Sequence, residues 1–273
     1  MSSLAELSLR LTRLKEISGI MSDMKSLAWM ERRRLSRFLE HQHRMLANME
    51  AAAGDFLGFY PPDRIRGPSA TLVIAVGSER GFCGNFNERV LDALPAPQSG
   101  LRMVVLGQRL GAKVHDRPDV IARLEGPGVT EDVPGVLDRL MDVLYGENLP
   151  LSDTATTILT LAHEAEGEPV MKPLLPLAPP KRSFPYPPRL QLAPPVFFAE
   201  LLDQYLLAAL TGRLYDSLSA ENRQRLAHME QALDRLGETL GRLVVRRNRL
   251  RQEHIVEEIE VILSGEQTLR HGP

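Results

Sequence analysis

The residues best suited to chemistry lie between 71 and 90, TLVIAVGSERGFCGNFNERV. An apolar run, Leu72 to Val76, opens into a loop that holds Gly77, Gly81, Gly84 and Cys83, the only cysteine of the chain. A strand that delivers a glycine-rich loop can cradle phosphates, and a cysteine there can act as a nucleophile. The phosphate reading needs G-x4-G-K-[ST], where the lysine reaches the β/γ-phosphates and the hydroxyl binds magnesium. Here the glycine spacings are four and three, and neither lysine nor Ser/Thr directly follows Gly84. The dinucleotide fingerprint G-x-G-x-x-G is not matched either. Turns at positive φ, with close backbone approach, account for the glycines without any ligand. Cys83 would need a base to form thiolate. No histidine lies near it in sequence, although His115 or His163 could approach in space. A small cysteine in such a turn is more simply a packing residue.

Other candidates are weaker. His41 and His43 are two apart, which on a helix puts them on different faces and prevents shared metal ligation. No Cys/His/Asp cluster has zinc spacing. Asp138 and Asp142 are one helical turn apart, a spacing common on exposed faces. The expectation is therefore no catalytic residue, no cofactor and no metal. Charge bands are more informative. Arg242, Arg246, Arg247, Arg249 and Arg251 form an acid-free stretch, followed at once by Glu253, Glu257, Glu258 and Glu260. Arg32, Arg33, Arg34 and Arg37 cluster earlier, with Glu31 opposing them. Such bands are solvated helix faces or docking surfaces for acidic partner loops. A net charge of -2 and 5% aromatics weigh against nucleic acid.

The elements that carry these residues fall into three segments. Residues 1–60 read as one long helix: Leu4, Leu7, Leu11 and Leu14 recur at three and four, and the stripe resumes at Leu35, Phe38, Gln42, Met45 and Met49. Residues 197–270 repeat the theme more strictly. Leu226, Met229, Leu233, Leu236, Leu240, Leu243 and Leu250 alternate threes and fours, broken by Arg247 at a seam position. Helices of roughly 100 Å and 80 Å do not fit inside a compact domain of this size, so each stripe takes the other as its partner, antiparallel. Between them, residues 68–172 carry short apolar runs, TLVIAV, RMVVLG and TTILTLA, separated by helical stretches such as VPGVLDRLMDVLYGE. That alternation predicts a largely parallel sheet in an α/β domain. Residues 173–196 form a connector, with nine prolines in the 23 residues from 173 to 195. The expected fold class is α/β: a long antiparallel two-helix coiled coil made by the terminal segments, with an inserted Rossmann-like α/β domain. With 25% charged and 43% hydrophobic residues the composition is ordinary for a soluble chain, and no apolar run approaches the ~20 residues that span a bilayer. A single cysteine fits a reducing compartment.

With this layout, three stretches make the chain resemble the gamma subunit of rotary F-type ATP synthases over essentially its whole length. GSERGFCGNFN (77–87) is similar to the family's S-D/E-R-G-L-C-G-x-x-N segment. RNRLRQEHIVEEIEVILSG (247–265) is similar to its C-terminal signature, N-[RK]-x-R-Q followed by an amphipathic tail. SLSAENRQRLAHMEQAL (217–233) is similar to the S-E-x-x-x-R-M-x-A-M motif of its long helix. There are departures. IMSDMKSLAWM (20–30) keeps only Ile20 and Met24 of an I-T-K-A-M-like stretch, Ala220 stands where the family has serine, and Val256 replaces a frequent threonine. These suggest a divergent branch, such as the sodium-type alternative ATPases.

The resemblance implies a central rotor shaft coupling ion-driven rotation to ATP synthesis or hydrolysis, itself without catalytic residues. Its implied partners are the alpha and beta subunits of the catalytic hexamer, the epsilon subunit and the membrane rotor ring. Its implied place is peripheral, on the cytoplasmic face of a bacterial inner membrane. Carried over residue by residue, Arg251 and Gln252 match a pair that contacts a beta-subunit loop. Met24 and Lys25 occupy the neck, and Arg80, Gly81 and Cys83 match a loop near the acidic beta levers. Arg246 and Arg249 join them on charge alone. Without the resemblance, the residues leave open a coiled-coil adaptor with an α/β cap, binding protein or nucleic acid, and a small enzyme using the glycine loop.

Overall fold

The computed structural model of the chain describes residues 4–61, 70–146, 156–177 and 185–270. The middle of the proline-rich connector, residues 178–184, lies outside them, as do residues 62–69 and 147–155 beside and within the predicted α/β domain. The elements run α1 (Leu4–Phe59), β1 (Ala70–Val76), α2 (Phe86–Asp92), β2 (Leu101–Leu106), α3 (Gln108–Lys113), β3 (Val120–Leu124), a 3-10 turn (Thr130–Asp132), α4 (Val133–Gly146), β4 (Thr156–His163), β5 (Pro169–Leu175) and α5 (Pro194–Arg270). Two compact units result. One joins residues 1–27 to 227–273, and the other holds residues 28–226, so α1 and α5 each contribute to both.

The larger unit is built on a five-stranded sheet in the order β3-β2-β1-β4-β5. β1 pairs in parallel with β2 and β4, β2 pairs in parallel with β3, and β5 closes one edge antiparallel to β4. Alternation along β1 sends Val73 and Ala75 to one face and Leu72, Ile74 and Val76 to the other. The first face is covered by α2 through Val90, by α3 through Leu110, and by Val114 just past the end of α3. The second packs on α4, through Val136, Leu140 and Leu144, and on α5, through Leu206, Leu210, Leu214 and Leu218. Leu35 of α1 joins that same cluster with no exposed surface. Sheet burial on both faces explains why β1, β2 and β4 are near-continuous apolar runs. β3 and β5 were not legible in that way. VIARL puts Arg123 in an edge strand, and PVMKPLL contains Pro169 and Pro173, which an edge tolerates because one side of its ladder has no partner to donate to.

The smaller unit is a helix pair. Lys25 Nζ lies 2.9 Å from Glu230 Oε1, near the end of the α1 segment and the start of the α5 segment. Leu4 lies 21 residues before Lys25, and Arg251 lies 21 residues after Glu230. From Arg251 to Leu263 every α5 side chain is exposed, as an antiparallel pair of equal rise requires once α1 ends. Before that point the expected seam of Met229, Leu233, Leu236, Leu240, Leu243, Arg247 and Leu250 is at least partly covered at every position, with exposed residues between.

The α1 stripe corrects part of the sequence reading. Its covered positions follow one heptad register from Leu7 through Leu14, Met21, Ala28, Leu35, Gln42, Met49 and Phe56, with Leu39 and Leu46 between them. Phe38 and Met45 instead stay exposed, at 48% and 44%, with the Phe38 ring lying against Tyr215 at the margin of the stripe. Ser18, Lys25 and Arg32 occupy seam positions, so the phase of the stripe is hidden where apolar residues lapse.

Leu35→Ala is expected to lower stability by about 2–5 kcal/mol, because the deletion leaves a cavity where α1 meets the sheet core. Urea unfolding of the full chain measures it.

Candidate functional site

The loop after β1 is locked before any partner arrives. Gly77 N–H donates to Leu106 O at 2.8 Å, and Arg109 N–H donates to Ser78 O at 3.1 Å, tying the loops after β1 and β2 together. The approach is too close for side chains. A Cβ at Gly77 would sit 2.2 Å from Leu110 Cβ, and one at Gly107, where φ is +97°, would sit 2.6 Å from Gly77 O. These two glycines answer to backbone packing rather than to a ligand. Asn87 finishes the turn: Ser78 N–H donates to its Oδ1 at 2.9 Å, and its Nδ2 donates to Ser78 Oγ at 2.8 Å.

What fills the place of a phosphate is the chain's own Glu221, on α5. Its carboxylate accepts hydrogen bonds from the backbone N–H groups of Arg80 and Glu79 and pairs with Arg225 Nη2. Arg225 in turn donates from Nη1 to Asn222 Oδ1 at 2.9 Å and from Nε to Gly81 O at 3.3 Å. Glu221 is 3% exposed and Arg225 5%. Burial pushes the Glu221 carboxyl above its ordinary value, while Arg225 and the two backbone N–H groups pull against it. Successive backbone N–H groups at a strand end make an anion-binding concavity. Here an internal carboxylate occupies it, spaced one helical turn from its counter-ion on α5.

Cys83 lies beneath this arrangement, 4% exposed and packed with Phe86 and Ala220. Its Sγ is 3.3 Å from Ser78 Oγ, and burial pushes the thiol up from its ordinary value, away from thiolate. Neither histidine considered as its base serves it. His115 is exposed and paired with Asp116 at 2.9 Å. His163 is fully buried and stacked on Phe86 at 3.9 Å, with Nε2 3.1 Å from Phe86 O and Nδ1 3.4 Å from Gly167 O. Burial holds His163 below its ordinary value, so the ring is neutral.

The residues singled out in the sequence fall in both units. In the larger one, Arg80 is exposed, Gly81 accepts from Arg225, and Cys83 supports the loop from inside, leaving Phe82 as its exposed apolar tip at 58% and φ +63°. In the smaller one, Lys25 pairs with Glu230 beside a half-buried Met24. Arg246, Arg251 and Gln252 are exposed, and Arg249 Nε is 2.9 Å from Glu253 Oε1. Sequence reasoning quoted Glu221 and Arg225 inside a motif but assigned them no chemistry. Their spacing of four was visible, whereas the loop they meet, some 140 residues away, was not.

Comparison with known proteins gives a consistent result. Residues 3–269 match the family model described as ATP synthase. An ATP synthase gamma chain of Paramagnetospirillum magneticum is 25% identical, covering 98% of this chain and all of that one. One from Staphylococcus saprophyticus is 24% identical, covering 97% and 98%. In fold, a chain of the Euglena gracilis mitochondrial ATP synthase (its OSCP, F1 and c-ring part, rotational state 3) aligns with a TM-score of 0.65 at 12% identity, covering 97% and 94%. A chain of the rotor of that enzyme aligns with a TM-score of 0.61 at 13% identity.

Two outcomes follow from this geometry. Arg225→Leu should cost about 3–5 kcal/mol, since it strands a buried carboxylate. The double change Glu221→Leu with Arg225→Leu should cost less, as urea unfolding of both variants would show. For His163 the folded value is depressed, so both states are neutral above about 6.5 and nothing is lost there. As pH falls below about 6.5, the unfolded chain takes the proton first and stability drops. Melting temperatures between about pH 5 and 7.5 should fall on acidification, and less steeply in His163→Gln.

Proposed function

The chain belongs to the ATP synthase gamma family, and from that premise we propose that it is the central rotor shaft of an F-type ATP synthase. It couples ion-driven rotation to ATP synthesis or hydrolysis in a hexamer of alpha and beta subunits. The observation that carries this reading is an antiparallel helix pair whose α5 seam stays in register from Met229 to Leu250, combined with a family match that spans nearly the whole chain. Sustained heptads make a stiff element without any active site.

The mechanism is coupling by differential contact. An asymmetric shaft presents different side chains to each surrounding catalytic subunit, so each orientation favours one conformation of each partner. In this reading the chain is non-catalytic and takes no cofactor. The N–H groups of its loop after β1 hold Glu221. Arg246, Arg249, Arg251 and Gln252 form the partner-facing band on α5. Met24 and Lys25 serve at the neck, and Arg80 and Gly81, carried on Cys83, serve near the acidic beta levers. The epsilon subunit and the membrane rotor ring bind the α/β domain, and the complex sits at the cytoplasmic face of a bacterial inner membrane. Among the described residues no helix is long and apolar enough to cross a membrane, which suits a peripheral subunit.

The test is reconstitution of the alpha and beta homologues with and without the full chain. Steady multisite ATP turnover should depend on the chain, and the chain alone should hydrolyse no ATP. Turnover that is unchanged when the chain is left out would sink the reading.

A further inference from the structure

At the carboxyl ends of β1, β2 and β3 the larger unit opens a cleft of about 750 Å³. That is the edge at which parallel α/β sheets bind ligands. The volume lies within the usual range for small-molecule sites. Every lining residue is glycine, charged or an amide, with no aliphatic or aromatic wall.

Three guanidinium groups reach the cleft from three different elements: Arg80 from the loop after β1, Arg109 from α3 and Arg139 from α4. Each lies over a glycine. A Cβ at Gly128 would come within 3.0 Å of Arg80, one at Gly81 within 3.4 Å of Arg109, and one at Gly135 within 3.7 Å of Arg139. Two carboxylates of the cleft are bonded to backbone N–H groups of its own lining and a third is paired with α1. Glu79 Oε2 accepts from the N–H of Gln108 at 3.0 Å and of Gly126 at 2.8 Å. Asp132 Oδ2 accepts from Gly128 at 2.9 Å and Val129 at 3.0 Å. Glu131 pairs with Arg34 on α1. The three guanidinium groups have no carboxylate partner among the described residues, and Glu125 is the one acid of the lining left uncommitted there.

We propose that this cleft binds a compact polyanion of the oligophosphate class, such as pyrophosphate or tripolyphosphate. Guanidinium forks match phosphate oxygens in pairs, and three of them on separate elements suit an anion with several oxygens better than a single carboxylate. The lack of any apolar wall leaves nothing for a nucleoside base to stack on, so recognition stops at the phosphates. The cleft shares Glu79, Arg80 and Gly81 with the loop whose N–H groups Glu221 takes up, but its test needs no partner subunit, so it stands or fails apart from the rotor reading.

Isothermal titration of the full chain with tripolyphosphate, at fixed ionic strength in a phosphate-free buffer, is the experiment. Saturable binding of one tripolyphosphate per chain is expected, with no heat from adenosine and no tighter binding of ATP than of tripolyphosphate. The double variant Arg109→Gln with Arg139→Gln should bind at least about tenfold more weakly, since charge-assisted hydrogen bonds are lost. Its melting temperature should be unchanged, because both side chains are exposed. Glu125→Gln should bind more tightly. An absence of saturable heat, equal affinity in the double variant, or ATP binding more than about tenfold tighter than tripolyphosphate would each overturn the proposal.

Discussion

Between Leu202 and Arg225, helix α5 has little surface left for water, because one side takes the sheet and α4 while another takes α1. Such a helix must be apolar wherever it meets a hydrophobic neighbour, and Leu206, Leu210, Leu214 and Leu218 meet that need. Its polar residues then require partners inside, since a buried polar group without one costs of the order of 1–3 kcal/mol. Asp216 meets His43 Nε2 at 3.0 Å, Asn222 Nδ2 donates to Leu218 O at 3.0 Å, and Glu221 meets Arg225 and the loop after β1. Among the described residues no buried side-chain nitrogen or oxygen lacks a partner. Glu221 holds the loop after β1 from the α5 side, next to Ala220, on which Cys83 and Phe86 pack.

That constraint also decides what the backbone N–H groups at the end of β1 hold. In a parallel α/β sheet the crevice at the strand ends is open, and backbone N–H groups there attract anions. In this chain Glu221 of α5 takes up the N–H groups of Glu79 and Arg80 at the end of β1 and supplies the anion there itself. A phosphate would have to displace a carboxylate that is 3% exposed and held by Arg225. Of the glycines that invited the phosphate reading, Gly77 is explained by its close approach to Leu110 of α3, and Gly107 in turn lies against Gly77 O.

Legibility in the sequence tracked how one-sided each environment is. The α5 seam from Met229 to Leu250 was readable because each seam residue is apolar, apart from Arg247, and most of its neighbours are polar. β1, β2 and β4 were readable because burial on both faces forces continuous apolar runs. α1 was readable as a helix but not in phase. Phe38 and Met45 are as apolar as Leu39 and Leu46, and the polar seam positions at Ser18, Lys25 and Arg32 break the register that would have separated them. The β5 edge was hidden by its prolines, and β3 by its length and its arginine.

The sequence by itself determined the order of helix, α/β insert and helix and the absence of a phosphate-loop signature, because each rests on local periodicity or on residue types at fixed spacing, and the lengths of the two long helices pointed to their antiparallel pairing. Which groups meet across long separations was decided only by the tertiary structure. Glu221 reaches the N–H groups of Glu79 and Arg80 because helix and strand cross there, and no periodicity records that crossing. The same holds for GSERGF. Its composition suggested a site, but its role follows from three-dimensional packing, which buries Cys83, exposes Phe82 and turns Arg80 toward a cleft shared with Arg109 and Arg139.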